Sequence, residues 1–387
     1  MSRPDLSPPA KRTRSQRRGA DDGSPAPLGV GAPAAAAPSP LVGALALGEA
    51  IGAPAPYRPA LLGPLPLGVR FEGSLFEDVL TMGDGFLRGE IFDNLWQDGV
   101  LGLRGASRTC RQMVAEHAWS DYDDVHPYSR SRIRGRLSSW RACFPNARAA
   151  NLFQNKRVRD ADFVHLRGVH YLTMRGTSKK ITDAAFVHLK GIHTLEMSSC
   201  RQPGITDAAF AHLRGIRELD MSDCIQTTIT DAAFANLRGI HTLIMRHCNQ
   251  DTITDAAFAH LAGIHTLDMI RCNQPTITDA AFAHLTGIAD LDMTDCNQAG
   301  ITDAAIANLV GIHTLSLWGC TQMSDAALVH LRGIHTLWLS YCARITDAAM
   351  VHLVGINTLY IHSCPQITDG ALIQLKQNRA TVTRMVE

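Results

Sequence analysis

Residues 181–200 read ITDAAFVHLKGIHTLEMSSC, the first of nine near-copies of one phrase. The aspartate of each copy marks a period of 24 residues five times and then 22 residues three times, at positions 183, 207, 231, 255, 279, 303, 325, 347 and 369. A fixed period of this length predicts stacked supersecondary units, which form a solenoid rather than a globule around one pocket. Such a fold favours the binding of a macromolecule over catalysis.

The first half of the phrase predicts a short helix of about two turns. The hydroxyl of Thr182 can accept a backbone N–H as an N-cap, and the charge of Asp183 complements the helix dipole. Ile181 and Phe186 are placed to form a hydrophobic staple. Gly191 suits the left-handed residue at which a helix stops.

The second half predicts a short, half-buried strand. Ile192, Leu195 and Met197 recur on one side, whereas Thr194 and Glu196 alternate to the other. One strand and one helix in each 22–24 residues predict right-handed coils that build a parallel sheet.

Eight of the ten cysteines occupy one equivalent slot per repeat: Cys200, Cys224, Cys248, Cys272, Cys296, Cys320, Cys342 and Cys364. Asn155 and Thr177 fill the same slot in the first repeats, and both can donate hydrogen bonds. We therefore expect small buried thiols that donate to loop carbonyls. A thiol or metal sensor built on this ladder is the alternative.

Composition restricts the class of protein. The 387 residues are 45% hydrophobic and 19% charged, with a net charge of +1, so no general attraction to nucleic acid is expected. The sequence contains no run of eighteen apolar residues, so no membrane span is expected. The N-terminus lacks the apolar core of a secretory signal. We expect a cytoplasmic or nuclear protein that is not secreted, with a basic run at Lys11–Arg18 that serves either nuclear import or solubility.

Four regions follow from changes in composition. Residues 1–70 form an Ala/Pro-rich tail that is expected to be disordered. Residues 75–120 carry apolar residues at helical intervals between Gly-rich breaks, which predict a small module of three short helices. Residues 121–143 are a linker or helix. Residues 144–387 form the repeat domain with its caps.

No catalytic, metal or cofactor motif is present. The chain lacks G-x-S-x-G, H-E-x-x-H, P-loop and Rossmann signatures, so we expect neither an enzyme nor a cofactor. Two columns of histidines follow the repeats, but Arg217, Asn236, Ala289, Asn308 and Asn357 interrupt them. A metal site needs a closed cluster with outer support, so none is expected.

The outward strand positions vary while the frame repeats, which indicates a binding surface. Acids occupy the earlier repeats and aromatics the later ones, and exposed aromatics are enriched at binding hot spots. The candidate target-binding residues are Glu196, Asp220, Asp268, Asp292, Trp318, Trp338, Tyr341, Tyr360 and His362. A partner should present basic groups to the acids and an apolar anchor to the aromatics. The alternative is that these rings only pack against one another.

The frame Ile-x-x-Leu-x-Met-x-x-Cys and the helix start Ile-Thr-Asp resemble the leucine-rich repeat, in particular its cysteine-containing subtype. The resemblance covers residues 144–387. It implies an α/β horseshoe with a parallel concave sheet and short helices outside.

Residues 89–114, GEIFDNLWQDGVLGLRGASRTCRQMV, resemble an F-box, and they directly precede the repeats as in F-box proteins. The Leu-Pro with which F-boxes open is replaced by Gly83-Asp84, so the motif is degenerate. The resemblance implies that a Skp-type adaptor is bound by Ile91, Phe92, Leu95, Val100, Leu101 and Leu103.

Together the two resemblances imply a substrate-recognition adaptor of an SCF-type cullin–RING ubiquitin ligase, whose repeats hold a target protein. The implied partners are the Skp-type adaptor, the cullin ligase and the target, without membrane or nucleic acid. The alternative is a non-degradative interaction scaffold with a vestigial F-box.

Overall fold

The computed structural model describes residues 92, 104, 107–119 and 132–385. The predicted tail at 1–70, the basic run Lys11–Arg18 and most of the F-box-like module lie outside the described residues. Among the described residues, no helix is long and apolar enough to cross a membrane.

Eleven parallel strands form one sheet, and their order in the sheet is their order in the sequence. The strands are β1 Ala149–Asn151, β2 Tyr171–Thr173, β3 Thr194–Glu196, β4 Glu218–Asp220, β5 Thr242–Ile244, β6 Thr266–Asp268, β7 Asp290–Asp292, β8 Thr314–Trp318, β9 Thr336–Ser340, β10 Thr358–His362 and β11 Thr381–Met385. Each strand pairs only with its neighbours in the chain. This confirms the solenoid predicted from the period and the leucine-rich-repeat fold implied by the resemblance.

Short helices connect the strands. The α-helices are α1 Arg108–Glu116, α2 Leu137–Cys143, α3 Asp183–Phe186, α4 Asp207–Phe210, α5 Asp231–Phe234, α6 Asp255–Phe258, α7 Asp279–Phe282, α8 Asp303–Ala307, α9 Asp325–Leu328 and α10 Asp369–Gln377. Asp160–Leu166 and Asp347–Leu353 form 3-10 helices in the equivalent place.

The repeat helices begin as predicted but are shorter than two turns. The Thr182 hydroxyl accepts from the backbone N–H of Ala184 at 3.3 Å, as an N-cap does. After one turn, the N–H of Leu189 donates to the carbonyl of Phe186 at 2.9 Å, the tighter i→i+3 pattern. Gly191 then takes a φ of 86°, a left-handed conformation that glycine adopts without steric strain.

The core is a set of columns that run through all the repeats. In the repeat of Ile181, the side chains of Phe186, Leu195 and Met197 are fully buried, and the equivalent residues of later repeats are buried too. Each repeat therefore buries its apolar face against the next one, and the solenoid is stabilised by contacts between neighbours.

The N-terminal cap includes residues before 144. The carbonyl of Trp119 accepts from the N–H groups of Arg148 at 2.7 Å and Ala149 at 3.1 Å, as the Arg148 carbonyl does from the next rung. The Trp119 ring packs on Phe144 with centroids 5.8 Å apart. Residues 107–119 are thus bonded to the first strand and pack on Phe144 at the end of the helix α2, although the sequence places a linker between them.

Candidate protein-binding face of the sheet

The strand register brings the acids and aromatics together in one row. Successive strand pairs align Glu196, Asp220, Ile244, Asp268, Asp292, Ser316, Trp338 and Tyr360, one residue from each of β3 to β10. These positions alternate with the buried leucines, so they lie on the face opposite the core. Six of the eight are candidate site residues from the sequence, and we term this line the acid–aromatic row.

In the acidic half of the row, one cation is embedded among the carboxylates. Arg246, two residues beyond the end of β5, pairs with Asp268, with Nη2 and Oδ2 2.6 Å apart. Burial and, to a smaller extent, the charge of Asp292 raise the pKa of Asp268 to about 6. Burial also raises the pKa values of Glu196 and Asp220. Burial is the main cause of these shifts. Asp268 is 4% exposed and Asp292 is fully buried, so these two acids offer little surface to a partner, contrary to the expectation of outward acids. Glu196 and Asp220 are half-buried and keep part of their surface open.

In the aromatic half, Trp338 and Tyr360 stack face to face. Their ring centroids are 5.1 Å apart and their planes 3° from parallel. Tyr360 is half-buried, but Trp338 is only 4% exposed. Trp338 therefore faces the predicted side of the sheet while offering little of its surface, contrary to the expectation of an exposed ring.

A second aromatic group lies two positions further along the strands, on the same face of the sheet. Trp318 and His362 flank Ser340 in the register, and their rings stack above it with centroids 5.8 Å apart. Tyr341 meets both rings edge-on, at 6.5 Å from Trp318 and 5.3 Å from His362. Tyr341 has a φ of 56° and is 46% exposed. These three rings form the aromatic corner, and part of it is open to a partner.

The predicted adaptor-binding residues are described only at Phe92. Its side chain is 1% exposed and packs against Trp119 with centroids 5.4 Å apart. Phe92 thus belongs to the core that joins the F-box-like segment to the solenoid. Ile91, Leu95, Val100, Leu101 and Leu103 lie outside the described residues.

The cysteine ladder is a set of buried hydrogen-bond donors, which confirms the prediction. The Sγ of Cys272 donates to the carbonyl of Met245 in the preceding repeat at 3.0 Å, and Cys296 to that of Met269 at 3.0 Å. Burial raises the pKa of Cys272 to about 12. Neutral, buried thiols of this kind stabilise the coil and are poor nucleophiles.

The repeated Thr-Asp pair also has a role between repeats, which is not predicted from its place at the start of a helix. The carboxylate of Asp255 accepts from both the N–H and the hydroxyl of Thr278 in the next repeat, each at 2.7 Å. The same two bonds recur from Asp160 to Asp347, so they form a polar ladder along the helices. The sequence contains the pattern for this ladder, because threonine, or serine at position 324, precedes the aspartate in each of the nine copies.

The histidines before the strands stack in pairs. The rings of His241 and His265 are 4.6 Å apart, and those of His313 and His335 are 4.4 Å apart. Burial and the neighbouring His313 lower the pKa of His335. Among the described residues, no group of three or more His, Cys, Asp or Glu side chains is arranged to hold a metal ion.

Comparison with known proteins finds no matching family model and no matching curated protein. Among known structures, a chain of the yeast Rad7–Elc1 complex is 16% identical, with 65% of this chain and 70% of that chain covered and a TM-score of 0.49. A chain of the Drosophila Toll–Spatzle complex is 17% identical, with coverage of 60% and 32% and a TM-score of 0.47. A chain of the TLR13–ssRNA13 complex is 14% identical, with coverage of 64% and 40% and a TM-score of 0.44. The matched region spans less than half of the Toll and TLR13 chains, and the likeness concerns the fold alone.

Proposed function

We propose that this protein is a binding module that holds a target protein against the acid–aromatic row and the aromatic corner. The observation that supports it is the register, which aligns four carboxylates and two aromatic rings on the face of the sheet that the core does not use. A target with basic and apolar groups side by side fits this arrangement.

The finer proposal is that the protein recognises substrates for an SCF-type ubiquitin ligase. It depends on the F-box resemblance of residues 75–120 and on a Skp-type adaptor that would bind there. The bonds from Trp119 to the first strand support it, because they would hold the target at a set position relative to that segment. The contribution to ubiquitin transfer would be proximity, with the chemistry at another protein of the ligase.

Target capture can be tested at the aromatic corner. We expect Trp318→Ala to weaken recovery of proximity-labelled partners, because Trp318 contacts both other rings and is not part of the core. The matched controls are Val310→Ala and Val351→Ala, in residues that are 67% and 66% exposed outside the sheet. A partner profile that is the same in Trp318→Ala as in the native protein would remove this face from consideration.

The ligase role needs a separate test. Replacing Ile91 and Leu95 by Asp should abolish association with a Skp-type adaptor and leave target capture intact. Association that survives this change would remove the F-box from the proposal. Capture by a chain that never binds an adaptor would favour the scaffold alternative.

A further inference from the structure

The net charge of +1 averages two regions of opposite charge. Residues 132–180 contain twelve lysines and arginines but two aspartates, whereas residues 181–385 contain twelve lysines and arginines and eighteen acids. The N-terminal end of the solenoid is therefore strongly positive and the remainder negative. Charge separated in this way attracts differently charged groups to the two ends.

Five of the cations lie on two adjacent loops, where the strands β1 and β2 end. These residues, here termed the basic edge, are Lys156, Arg157, Arg159, Lys179 and Lys180, and all five are exposed. The ammonium group of Lys156 donates to the carbonyl of Gly176 on the second loop. Thr182 donates its N–H and hydroxyl to Asp160, at 2.8 and 2.6 Å. The two loops are thus held side by side, and their charges form one patch.

No carboxylate of the described residues neutralises this patch. The two nearby acids form no ion pair with these residues: Asp160 accepts from Thr182, and Asp162 accepts from the backbone N–H of Arg159 at 2.9 Å. Their two negative charges are fewer than the five positive charges, so the patch keeps a net positive charge. None of the five residues of the basic edge takes part in the ion pairs between described residues. The basic edge therefore presents a positive field that the fold itself does not use.

The patch ends at the third loop. There Arg201 pairs with Asp223, with Nη2 and Oδ1 3.3 Å apart. Adjacent rungs lie about 4.8 Å apart, so the unpaired cations cover only two of them. Beyond them the solenoid is negative and would repel a long polyanion that ran along it. A short anionic segment fits the patch better than a nucleic acid does.

We propose that the basic edge binds a short acidic peptide segment rich in Asp and Glu. The assignment of this segment to the target rests on the proposed function; the binding of acidic peptide to the edge does not. The target would then contact this protein at two places. Its basic and apolar groups would bind the acid–aromatic row, and its acidic segment would bind the basic edge. Two linked contacts give avidity and select targets that carry both features.

The probe is a fluorescein-labelled peptide with six consecutive glutamates, titrated with the full chain at low salt and followed by anisotropy. We expect binding that is lost when the salt concentration is raised to about 0.5 M, because exposed charges are screened. Changing Arg157, Lys179 and Lys180 together to Glu should weaken binding by about tenfold or more. Each exposed ion pair with the peptide contributes only a small part of this change in affinity, and the triple variant removes three such pairs.

The matched control changes Lys190, Arg214 and Arg238 to Glu, which alters the net charge equally at exposed positions of other repeats. We expect less than about a twofold effect there. Circular dichroism checks that each variant is folded, and the Gln versions of the same positions should reduce binding less than the Glu versions do.

Three results would overturn the proposal: no binding of the peptide by the native chain, equal loss of binding in both triple variants, or tighter binding of a single-stranded oligonucleotide with six phosphates than of the peptide. The last would assign the edge to nucleic acid. The Trp318→Ala capture experiment does not involve these residues, so failure of either proposal is seen separately.

Discussion

Arg141 joins the helix α2 to the first repeat, and its replacement should release the N-terminal cap. Its Nε donates to the carbonyl of His165 at 2.6 Å, and its Nη2 to that of Arg167 at 3.0 Å. Its Nη1 donates to the carbonyl of Ala147 at 3.1 Å and to two others in the turn after the helix, at 3.0 and 3.4 Å. One half-buried side chain thus bonds five carbonyl oxygens that belong to two different rungs.

The expected effect of Arg141→Met follows from these bonds. Methionine keeps much of the apolar stem but removes every donor. Four of the five bonds are 3.1 Å or shorter. At about 1 kcal/mol for each of these four bonds, their loss should lower the free energy of local opening of the cap by up to about 4 kcal/mol. The middle repeats should be unaffected, because each repeat contacts only its neighbours.

Hydrogen exchange followed by mass spectrometry measures this opening directly. Amides such as that of Ile133, which donates to the carbonyl of Asn151 at 2.8 Å, should lose protection by up to about a thousandfold. Arg141→Lys keeps the charge without the fork and should have an intermediate effect. The control Arg134→Met alters an exposed side chain and should change nothing. Unchanged protection across residues 132–151 in Arg141→Met would show that the guanidinium does not hold the cap.

Three further predictions concern the repeats. Asp255→Ala removes the acceptor of both Thr278 bonds and should lower the free energy of unfolding, measured in urea, by about 2 kcal/mol. Asp255→Asn should lower it by less, because the amide oxygen can still accept. Equal stability of the native protein and both variants would show that the ladder does not stabilise the fold. Cys272→Ala should lower the free energy of unfolding by about 1 kcal/mol. In the native protein the Cys272 thiol should react with a maleimide only on unfolding, because burial raises its pKa to about 12. Rapid labelling of Cys272 in the folded chain would contradict this. Burial and the charge of Asp292 raise the pKa of Asp268 to about 6, so the folded chain binds this proton more tightly than the unfolded chain. The contribution of Asp268 to stability should therefore increase as the pH falls from about 7 to about 4, and urea titrations should show that Asp268→Asn removes this increase; a difference of opposite sign would refute the assignment.

Much of the fold follows from the sequence because the solenoid repeats its local rules. Three features of each repeat depend on residues only a few positions apart, and they can therefore be predicted from local sequence. They are the helix start at Thr182, the helix end at Gly191 and the alternation around Leu195. The thiol donors were also predictable, because Thr177 and Asn155 occupy the same slot and, like cysteine, can donate a hydrogen bond.

The cap was less predictable because it has no repeated unit. Phe92, Trp119 and Arg141 each occur once, so no period relates them to the strand they support. Their roles depend on contacts across 24 residues or more, as in the bond from Arg141 to His165.

The sequence alone determined the repeat, the parallel sheet and the list of outward residues, since each depends on spacing along the chain. Only the tertiary structure decided how much of each residue is accessible and which charges are neutralised. The Trp338 side chain is buried, whereas that of Tyr341 is exposed. Arg246 forms an ion pair, whereas Lys179 and Lys180 are exposed and form none with the described residues. The physical reason is that burial and ion pairing depend on side chains one rung away, 22 or more residues distant, whose placement becomes known only when the coils are stacked in register.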